Sequence, residues 1–213
     1  LPIGRGCRIF ISNRLYSSMK NRIANGFDFL APFYDGLARL FIGKDIVNAQ
    51  LHFLKVFKEC NTLLILGGGS GWILDFLGGE FPDLKIDYID ISPEMLNSAR
   101  KRSGNHRPIN FILGTESNIP DQLYDGVISN FYLDMFDDNE LSIVIEKIKK
   151  SLNGSAFWVV TDFVNERRGH RLKLWLMYRF FRMVANIEAS RLPDWQGQMI
   201  LSGSKLIDCK ISD

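Results

Sequence analysis

Residues 63–72 read Leu63-Leu64-Ile65-Leu66-Gly67-Gly68-Gly69-Ser70-Gly71-Trp72, an apolar run that ends in a cluster of glycines. A continuous apolar run of this length is typical of a parallel β-strand that is buried on both faces. Glycines directly after such a strand permit positive φ angles and let backbone N–H groups approach a ligand that a Cβ would block. The stretch therefore predicts a first strand followed by a ligand-binding turn.

The spacing of the glycines narrows the class of ligand. Gly67, Gly69 and Gly71 form GxGxG, whereas the dinucleotide fingerprint is GxGxxG and would need glycine where Trp72 stands. A phosphate-binding P-loop needs Gly-Lys followed by Ser or Thr, and this loop contains no Lys. Both phosphate-binding interpretations are therefore weakened.

A second candidate binding residue is Asp90, which lies 23 residues after Gly67 at the end of another apolar segment. A neighbouring parallel strand would bring Asp90 beside the glycine loop, where its carboxylate can accept hydrogen bonds from both hydroxyls of a ribose. The alternative is an Asp that only faces solvent at a strand end. The combination with the loop favours a nucleoside ligand.

The rest of the core alternates between strand and helix patterns. Strands are predicted over Thr62–Leu66, Lys85–Ile91, Ile109–Leu113, Tyr124–Asn130 and Ala156–Thr161, and helices over Trp72–Leu77, Pro93–Arg102 and Asn139–Leu152. Such alternation predicts an α/β fold, a Rossmann-like three-layer sandwich with a mostly parallel sheet and right-handed crossovers.

The flanking segments are predicted to be mainly helical. Residues 1–20 form a basic arm or a remnant, and residues 21–213 form a single domain. Within this domain, 21–60 is a helical lid, 61–163 the core, 165–190 a helical cap inserted after strand five, and 205–211 a sixth strand. The aromatic residues of the lid fit either a helix buried on the body or a lid over a ligand.

Composition limits the class of protein. The chain has 213 residues, 46% of them hydrophobic and 23% charged, which excludes a disulfide-stapled mini-protein and a disordered tail. Its 26 basic and 24 acidic residues give no reason to expect nucleic acid as a partner, although residues 1–26 and 166–191 are basic and the body between them is acidic. Three cysteines without a CxxC predict reduced thiols in a cytoplasmic protein and no metal site.

Several motifs together resemble the class I S-adenosylmethionine-dependent methyltransferase family. Residues 63–71 are similar to its first motif, 89–96 to its ribose-binding segment, 124–131 to its fourth strand, and 152–155 with 160–163 to its fifth. The pairs Phe27-Asp28, Ala31-Pro32 and Tyr34-Asp35 are similar to the opening of ubiquinone and menaquinone biosynthesis methyltransferases. The family sheet ends in a seventh strand, which we expect to be missing from the sequence given.

The resemblance implies S-adenosylmethionine as cofactor and S-adenosylhomocysteine as product. By position it implies that the loop lies against the methionine part, that Asp90 binds the ribose, and that Asn130 borders the methionine end. The implied cofactor-binding residues are Gly67, Gly68, Gly69, Gly71, Asp90, Ile91, Met95, Thr115, Glu116, Asn130 and Tyr34. Two positions depart from the family: Ile65 stands where it has Asp or Glu, and Gly114 precedes Thr115 instead of Asp, so that Thr115 or Glu116 would take over the adenine contact.

Methyl transfer from a sulfonium is an in-line displacement, for which alignment and water exclusion supply most of the catalysis. A base is needed only when the acceptor must lose a proton. The candidates are Asp134, Asp162 and Tyr34, with His170 a more remote one, and each of them also fits a structural role.

The acceptor is predicted from the late basic and apolar helix. Residues 167–186 fit a pocket wall, a homodimer contact or a peripheral membrane contact, and a wide apolar cover favours a small hydrophobic or aromatic acceptor. The alternative function is a non-catalytic adenosyl-binding or assembly protein with a degenerate methyltransferase fold. A nicotinamide-dependent oxidoreductase is a third interpretation.

Overall fold

The structure is a computed structural model that describes residues 50–104, 108–162 and 193–209. Residues 50–52 are helical and lead into a 3₁₀ helix at Leu54–Glu59. Five strands follow: β1 Thr62–Leu66, β2 Lys85–Asp90, β3 Ile109–Leu113, β4 Tyr124–Asn130 and β5 Leu152–Thr161. The helices are α1 Trp72–Glu80, α2 Pro93–Ser103, α3 Asp138–Lys150 and α4 Trp195–Leu201, with short 3₁₀ helices at Glu116–Asn118 and Leu133–Met135.

The five strands form one parallel sheet in the order β3-β2-β1-β4-β5. The chain builds outward from β1 through β2 to β3, and then returns to the other side of β1 for β4 and β5. The order therefore reverses beside β1, and ligands of open α/β sheets bind at the carboxyl ends of the strands at such a point. Gly67 directly follows β1, so the glycine loop lies at that edge.

Both faces of the sheet are covered, as its apolar strands require. The 3₁₀ helix, α1 and α2 pack on one face around Leu63, Ile65 and Tyr88. Helix α3 packs on the other face against Leu64 and Leu66. The predicted three-layer Rossmann-like fold is confirmed.

The helix starts follow from local capping. The Ser92 hydroxyl accepts a hydrogen bond from the N–H of Met95 (3.1 Å), and Pro93 occupies the first turn of α2. The Asp137 carboxylate accepts from the N–H groups of Asn139 (2.8 Å) and Glu140 (2.9 Å) at the start of α3. Within the described ranges, no helix combines the length and apolar character that crossing a membrane requires.

Most strand bounds match the prediction, and the differences have physical causes. Strand β5 begins at Leu152 rather than Ala156, because Leu152 pairs with Tyr124 across a shift of register. The strand predicted over 205–211 is wrong for 205–209, which are irregular. Leu206 and Ile207 are 64% and 75% exposed there, and a strand needs a neighbour that these residues do not have in the described part of the chain. Residues 210–211, the lid up to 49, and the cap over 165–190 lie outside the described residues.

Candidate cofactor-binding and catalytic site

The glycine loop takes a backbone path that only glycine follows at low cost. Gly67, Gly69 and Gly71 have φ angles of 63°, 62° and 82°. The N–H groups of Gly67 and Gly68 donate to the Ile89 carbonyl at 3.0 and 3.3 Å, which joins the loop to the end of β2. Gly71 then begins α1 in the left-handed conformation.

Close packing also excludes side chains from this loop. A Cβ on Gly68 would lie 2.1 Å from Tyr88 Cζ, and one on Gly67 would lie 2.7 Å from Tyr132 Cδ2. The Tyr88 hydroxyl donates to the Gly69 carbonyl at 3.0 Å. The loop is therefore fixed from below by Tyr88 and contacted by Tyr132 at Gly67.

Asp90 lies where the sequence predicts, beside the loop. Its Oδ2 accepts a hydrogen bond from the Gly69 N–H at 2.8 Å, and its Oδ1 accepts from the Ser92 N–H at 2.9 Å. The residue is only 7% exposed. A carboxylate has about four acceptor positions, so these bonds are compatible with further ones from ligand hydroxyls. Of the other residues that the resemblance implies for cofactor binding, Met95 is buried on α2 and Ile91 is half-buried after β2.

The turn after β3 contains the two residues predicted to replace the family's Asp. The Gly114 N–H donates to the Asp90 carbonyl at 2.9 Å, which places this turn next to Asp90. Thr115 and Asn118 form a reciprocal capping box: the Thr115 N–H donates to Asn118 Oδ1 at 3.1 Å, and the Thr115 side chain accepts from the backbone. Glu116 is 5% exposed, so its carboxyl points inward.

Glu116 pairs with Tyr132, a residue that sequence reasoning missed. The Tyr132 hydroxyl donates to Glu116 Oε2 at 2.8 Å and accepts from the Glu116 N–H at 3.2 Å. The adenine contact predicted for Glu116 stays a prediction. Tyr132 follows β4, a strand that ends beside β1, and this position is the sequence signal that would have pointed to Tyr132.

The loop after β4 begins with a strained residue. Phe131 has a φ angle of 52°, which is uncommon for a residue with a side chain, and its N–H donates to the Thr161 carbonyl at 2.7 Å. Residues held in such conformations cluster at functional sites. The strain lies directly after Asn130, the residue predicted to border the methionine end.

Two of the predicted base candidates, Asp134 and Asp162, lie together at the carboxyl ends of β4 and β5. Asp162 Oδ2 accepts a hydrogen bond from the Leu133 N–H at 2.9 Å, and Asp134 is 9% exposed. Burial raises the pKa of Asp162 well above its ordinary value, and the neighbouring Asp134 carboxyl raises this pKa further. Repulsion between two negative carboxylates in a buried site disfavours ionisation of both. It therefore favours a state in which the Asp134–Asp162 pair keeps a proton.

Two acceptor atoms in this region are buried without a hydrogen-bond partner among the described residues. They are Asn130 Oδ1 and Asp162 Oδ1. Buried polar atoms are nearly always satisfied, so Asn130 Oδ1 indicates a place for a ligand donor, whereas Asp162 Oδ1 fits either a ligand donor or a protonated Asp134. Tyr34 and His170 lie outside the described residues, and no cluster of three metal-binding side chains occurs in the part that is described.

Comparison with known proteins agrees with this geometry. A family model described as a methyltransferase domain matches residues 63–154. Malonyl-[acyl-carrier protein] O-methyltransferase 1 of Ilyobacter polytropus is 31% identical over 120 residues, which cover 56% of this chain and 44% of that protein. The biotin biosynthesis bifunctional protein BioHC of Teredinibacter turnerae is 32% identical over 157 residues, covering 68% and 27%. The chain thus spans less than half the length of both relatives.

Solved structures share the fold. An O-methyltransferase family protein from Burkholderia thailandensis superposes with a TM-score of 0.63 at 22% identity, over 84% of this chain and 55% of that one. Human N-acetylserotonin methyltransferase in complex with SAM gives a TM-score of 0.58 at 21% identity, over 89% and 51%. The parallel sheet with its glycine loop and Asp90 is the arrangement that the motifs predict. The family-model match and the methyltransferase relatives indicate a class I S-adenosylmethionine-dependent methyltransferase domain over the core of the chain.

Proposed function

We propose that this protein transfers a methyl group from S-adenosylmethionine to a small acceptor by in-line displacement. The observation that carries the proposal is the hydrogen bond from the Gly69 N–H to Asp90 Oδ2, which joins the glycine loop to the carboxylate predicted to bind the ribose, at the point where strand order reverses. The resemblance of the motifs and the relatives named above support the same cofactor.

The described residues fit this cofactor. Asp90 would accept from the ribose hydroxyls, and the loop from Gly67 to Gly71 would lie against the methionine part. Asn130 Oδ1 is a buried acceptor without a described partner, which suits the ammonium group of the methionine part or another donor nearby. When bound, the cofactor supplies an activated methyl group, so the protein's task is to align the acceptor and exclude water.

We propose a small hydrophobic or aromatic acceptor. The apolar residues of 167–184 support this, although that segment lies outside the described residues. Contacts through 167–186 with a second copy or a membrane surface stay predictions. The relative from Ilyobacter polytropus is named for malonyl-[acyl-carrier protein], a different acceptor.

Calorimetric titration tests the proposal. We expect the protein to bind S-adenosylmethionine and S-adenosylhomocysteine with one site each, and NAD to give no heat of binding. Absence of binding to both adenosyl ligands contradicts the proposed function. Binding without transfer to any acceptor supports the alternative of an adenosyl-binding protein, for which the missing acidic residue at Ile65 is the specific observation.

A further inference from the structure

The carboxyl ends of β4 and β5 present unsatisfied acceptors at neighbouring positions. Asn130 is the last residue of β4 and is in register with Thr161, the last residue of β5, and Asp162 follows it. Asn130 Oδ1 and Asp162 Oδ1 are both buried and have no hydrogen-bond partner among the described residues. Because burial of an unpaired acceptor is costly, Asn130 Oδ1 indicates a ligand group that donates a hydrogen bond, and the Asp162 carboxyl, which interacts with Asp134, follows the strand residue in register with Asn130.

The third buried atom of this kind does not belong to the site. Gln198 Oε1 is unpaired too, but its residue lies on α4, where its amide nitrogen donates to the Asp138 carbonyl at 3.0 Å. That helix packs against α3 on one face of the sheet. The two atoms at the strand ends therefore form a separate feature.

Asp162 is held in place from the β4 side. The Leu133 N–H donates to its Oδ2 at 2.9 Å, and Leu133 directly follows Tyr132, whose ring contacts the glycine loop at Gly67. The consecutive residues Tyr132 and Leu133 thus connect the loop with the Asp162 carboxyl. Asp162 lies at the strand-end edge that also carries the glycine loop, which is the edge where the cofactor is proposed to bind.

Asp134 makes the site a carboxyl pair. It is the second residue of the short 3₁₀ helix Leu133–Met135 and is nearly buried next to Asp162. Two carboxylates this close do not both ionise easily, so the pair shares a proton and carries one negative charge. Such a pair is able to accept one more proton.

We propose that this carboxyl pair receives an acceptor atom that carries a proton, the O–H of a phenol or alcohol or the N–H of an amine, and removes that proton during methyl transfer. The proposal rests on the proposed function. The acceptor oxygen or nitrogen forms a bond to the methyl carbon, and the methyl–sulfur bond breaks with its electron pair passing to sulfur. The proton moves to the Asp134–Asp162 pair, which becomes neutral and later releases the proton to water.

The same groups disfavour a free carboxylate as acceptor. A carboxylate carries no proton to lose, and it would bring a negative charge to a pair that is already negative. Its oxygens would also face Asn130 Oδ1 and Asp162 Oδ1, which are acceptors themselves. We therefore infer an acceptor chemistry different from that in the names of the malonyl-[acyl-carrier protein] relatives.

A matched set of acceptors tests the inference on the full chain. The probes are 4-methylphenol, 4-methylbenzylamine, 4-methylbenzoate and 4-nitrophenol, and formation of S-adenosylhomocysteine is measured at mildly alkaline pH. We expect the wild type to methylate the phenol or the amine and not the benzoate. Methylation of the benzoate in preference to both of them overturns the inference.

A variant of Asp162 distinguishes a catalytic base from a residue with only a structural role. Asp162→Asn should lose about 100-fold or more of its rate on 4-methylphenol, but should lose nothing or gain on 4-nitrophenol, which is already ionised and is repelled by the negative pair. An equal loss on both phenols contradicts the base. Asp134→Asn serves as a second variant, and Asp121→Asn, at an exposed loop position, is the control that should leave all rates unchanged.

Failure of the proposed function gives a different result. Without binding of S-adenosylhomocysteine by the wild type, the cofactor assignment itself fails. With binding but no transfer to any of the four acceptors, the cofactor assignment stands and the carboxyl pair is not a base for this reaction.

Discussion

The Asp90 carboxylate accepts a hydrogen bond from the Gly69 N–H at 2.8 Å, across the boundary between the end of β2 and the loop after β1. The residue predicted to bind the ribose therefore also fixes the loop predicted to lie against the methionine part. Such a contact prepares the binding site before the ligand arrives and reduces the cost of ordering it on binding.

Replacement of Asp90 tests this double role. Asp90→Ala removes the acceptor for two backbone N–H groups, and hydrogen bonds to a charged group contribute about 1.5–3 kcal/mol each. We expect the Kd for S-adenosylhomocysteine to rise by about 100-fold or more in calorimetry. Asp121→Ala is the charge-matched control. A change below about threefold for Asp90→Ala would show that this carboxylate does not form the site.

Gly68→Ala tests the packing of the loop. A Cβ there would lie 2.1 Å from Tyr88 Cζ, and Tyr88 is fully buried, so either the loop or the ring must move. We expect a loss of about 1–3 kcal/mol in the free energy of unfolding, measured with urea, and a loss of cofactor binding.

Gly79→Ala is the matched control for that variant. Gly79 lies near the end of α1, and a Cβ there has no atom within 4 Å. Alanine is the better helix former, so this variant should gain up to about 1 kcal/mol and bind normally. Equal behaviour of the two variants would be inconsistent with the packing described.

Tyr132→Phe tests the connection between the glycine loop and the turn after β3. The variant keeps the ring against Gly67 but removes both hydrogen bonds to Glu116. We expect a loss of about 1–3 kcal/mol in stability, because Glu116 is buried, and weaker binding of S-adenosylhomocysteine by about five- to tenfold.

Tyr124→Phe is the comparison for Tyr132→Phe. Tyr124 is also buried and donates to a buried carboxylate, that of Asp87, and burial together with Asp87 raises its pKa. It lies at the start of β4, at the opposite end from the proposed site. It should lose similar stability and keep its cofactor affinity. If both variants bind equally well, Tyr132 has only a structural role.

Asp162→Asn is expected to be more stable than the wild type, and this difference is expected to increase as pH rises. The raised pKa means that folded Asp162 binds more protons than unfolded Asp162 above the ordinary value of 3.8. The stability of the wild type therefore falls as pH rises through the window between that value and the raised one. The amide lacks this penalty, so urea unfolding should show a gain in the free energy of unfolding that is larger near pH 8 than near pH 5. A larger gain at the lower pH would contradict the assigned direction.

Local signals predict much of the fold. The bounds of β1, β3 and β4 were predicted correctly because short apolar runs end sharply at glycine or polar residues. The start of β5 was missed because Asn153, Gly154 and Ser155 resemble a loop, and only pairing with β4 extends the strand over them. Residues 205–209 have apolar residues but no strand neighbour among the described residues.

The site was predicted less completely. The position of Asp90 in the site could be predicted from its separation from the glycine loop along the sequence, since parallel strands of similar length end at the same edge. The pairing of Tyr132 with Glu116 joins two loops that are separate in sequence, and no local pattern encodes it. In the sequence, Asp134 and Asp162 are two separate candidate bases. Only the order of the strands in the sheet shows that they are neighbours.

The most direct test of the central claim is a crystal structure of this protein with S-adenosylhomocysteine. We predict that the ribose hydroxyls lie about 2.5–3.0 Å from the Asp90 carboxylate, and that the sulfur atom lies at the Asn130 end of the glycine loop. A ligand bound away from Asp90, or crystals that contain no ligand when grown with a large excess of it, would contradict the account.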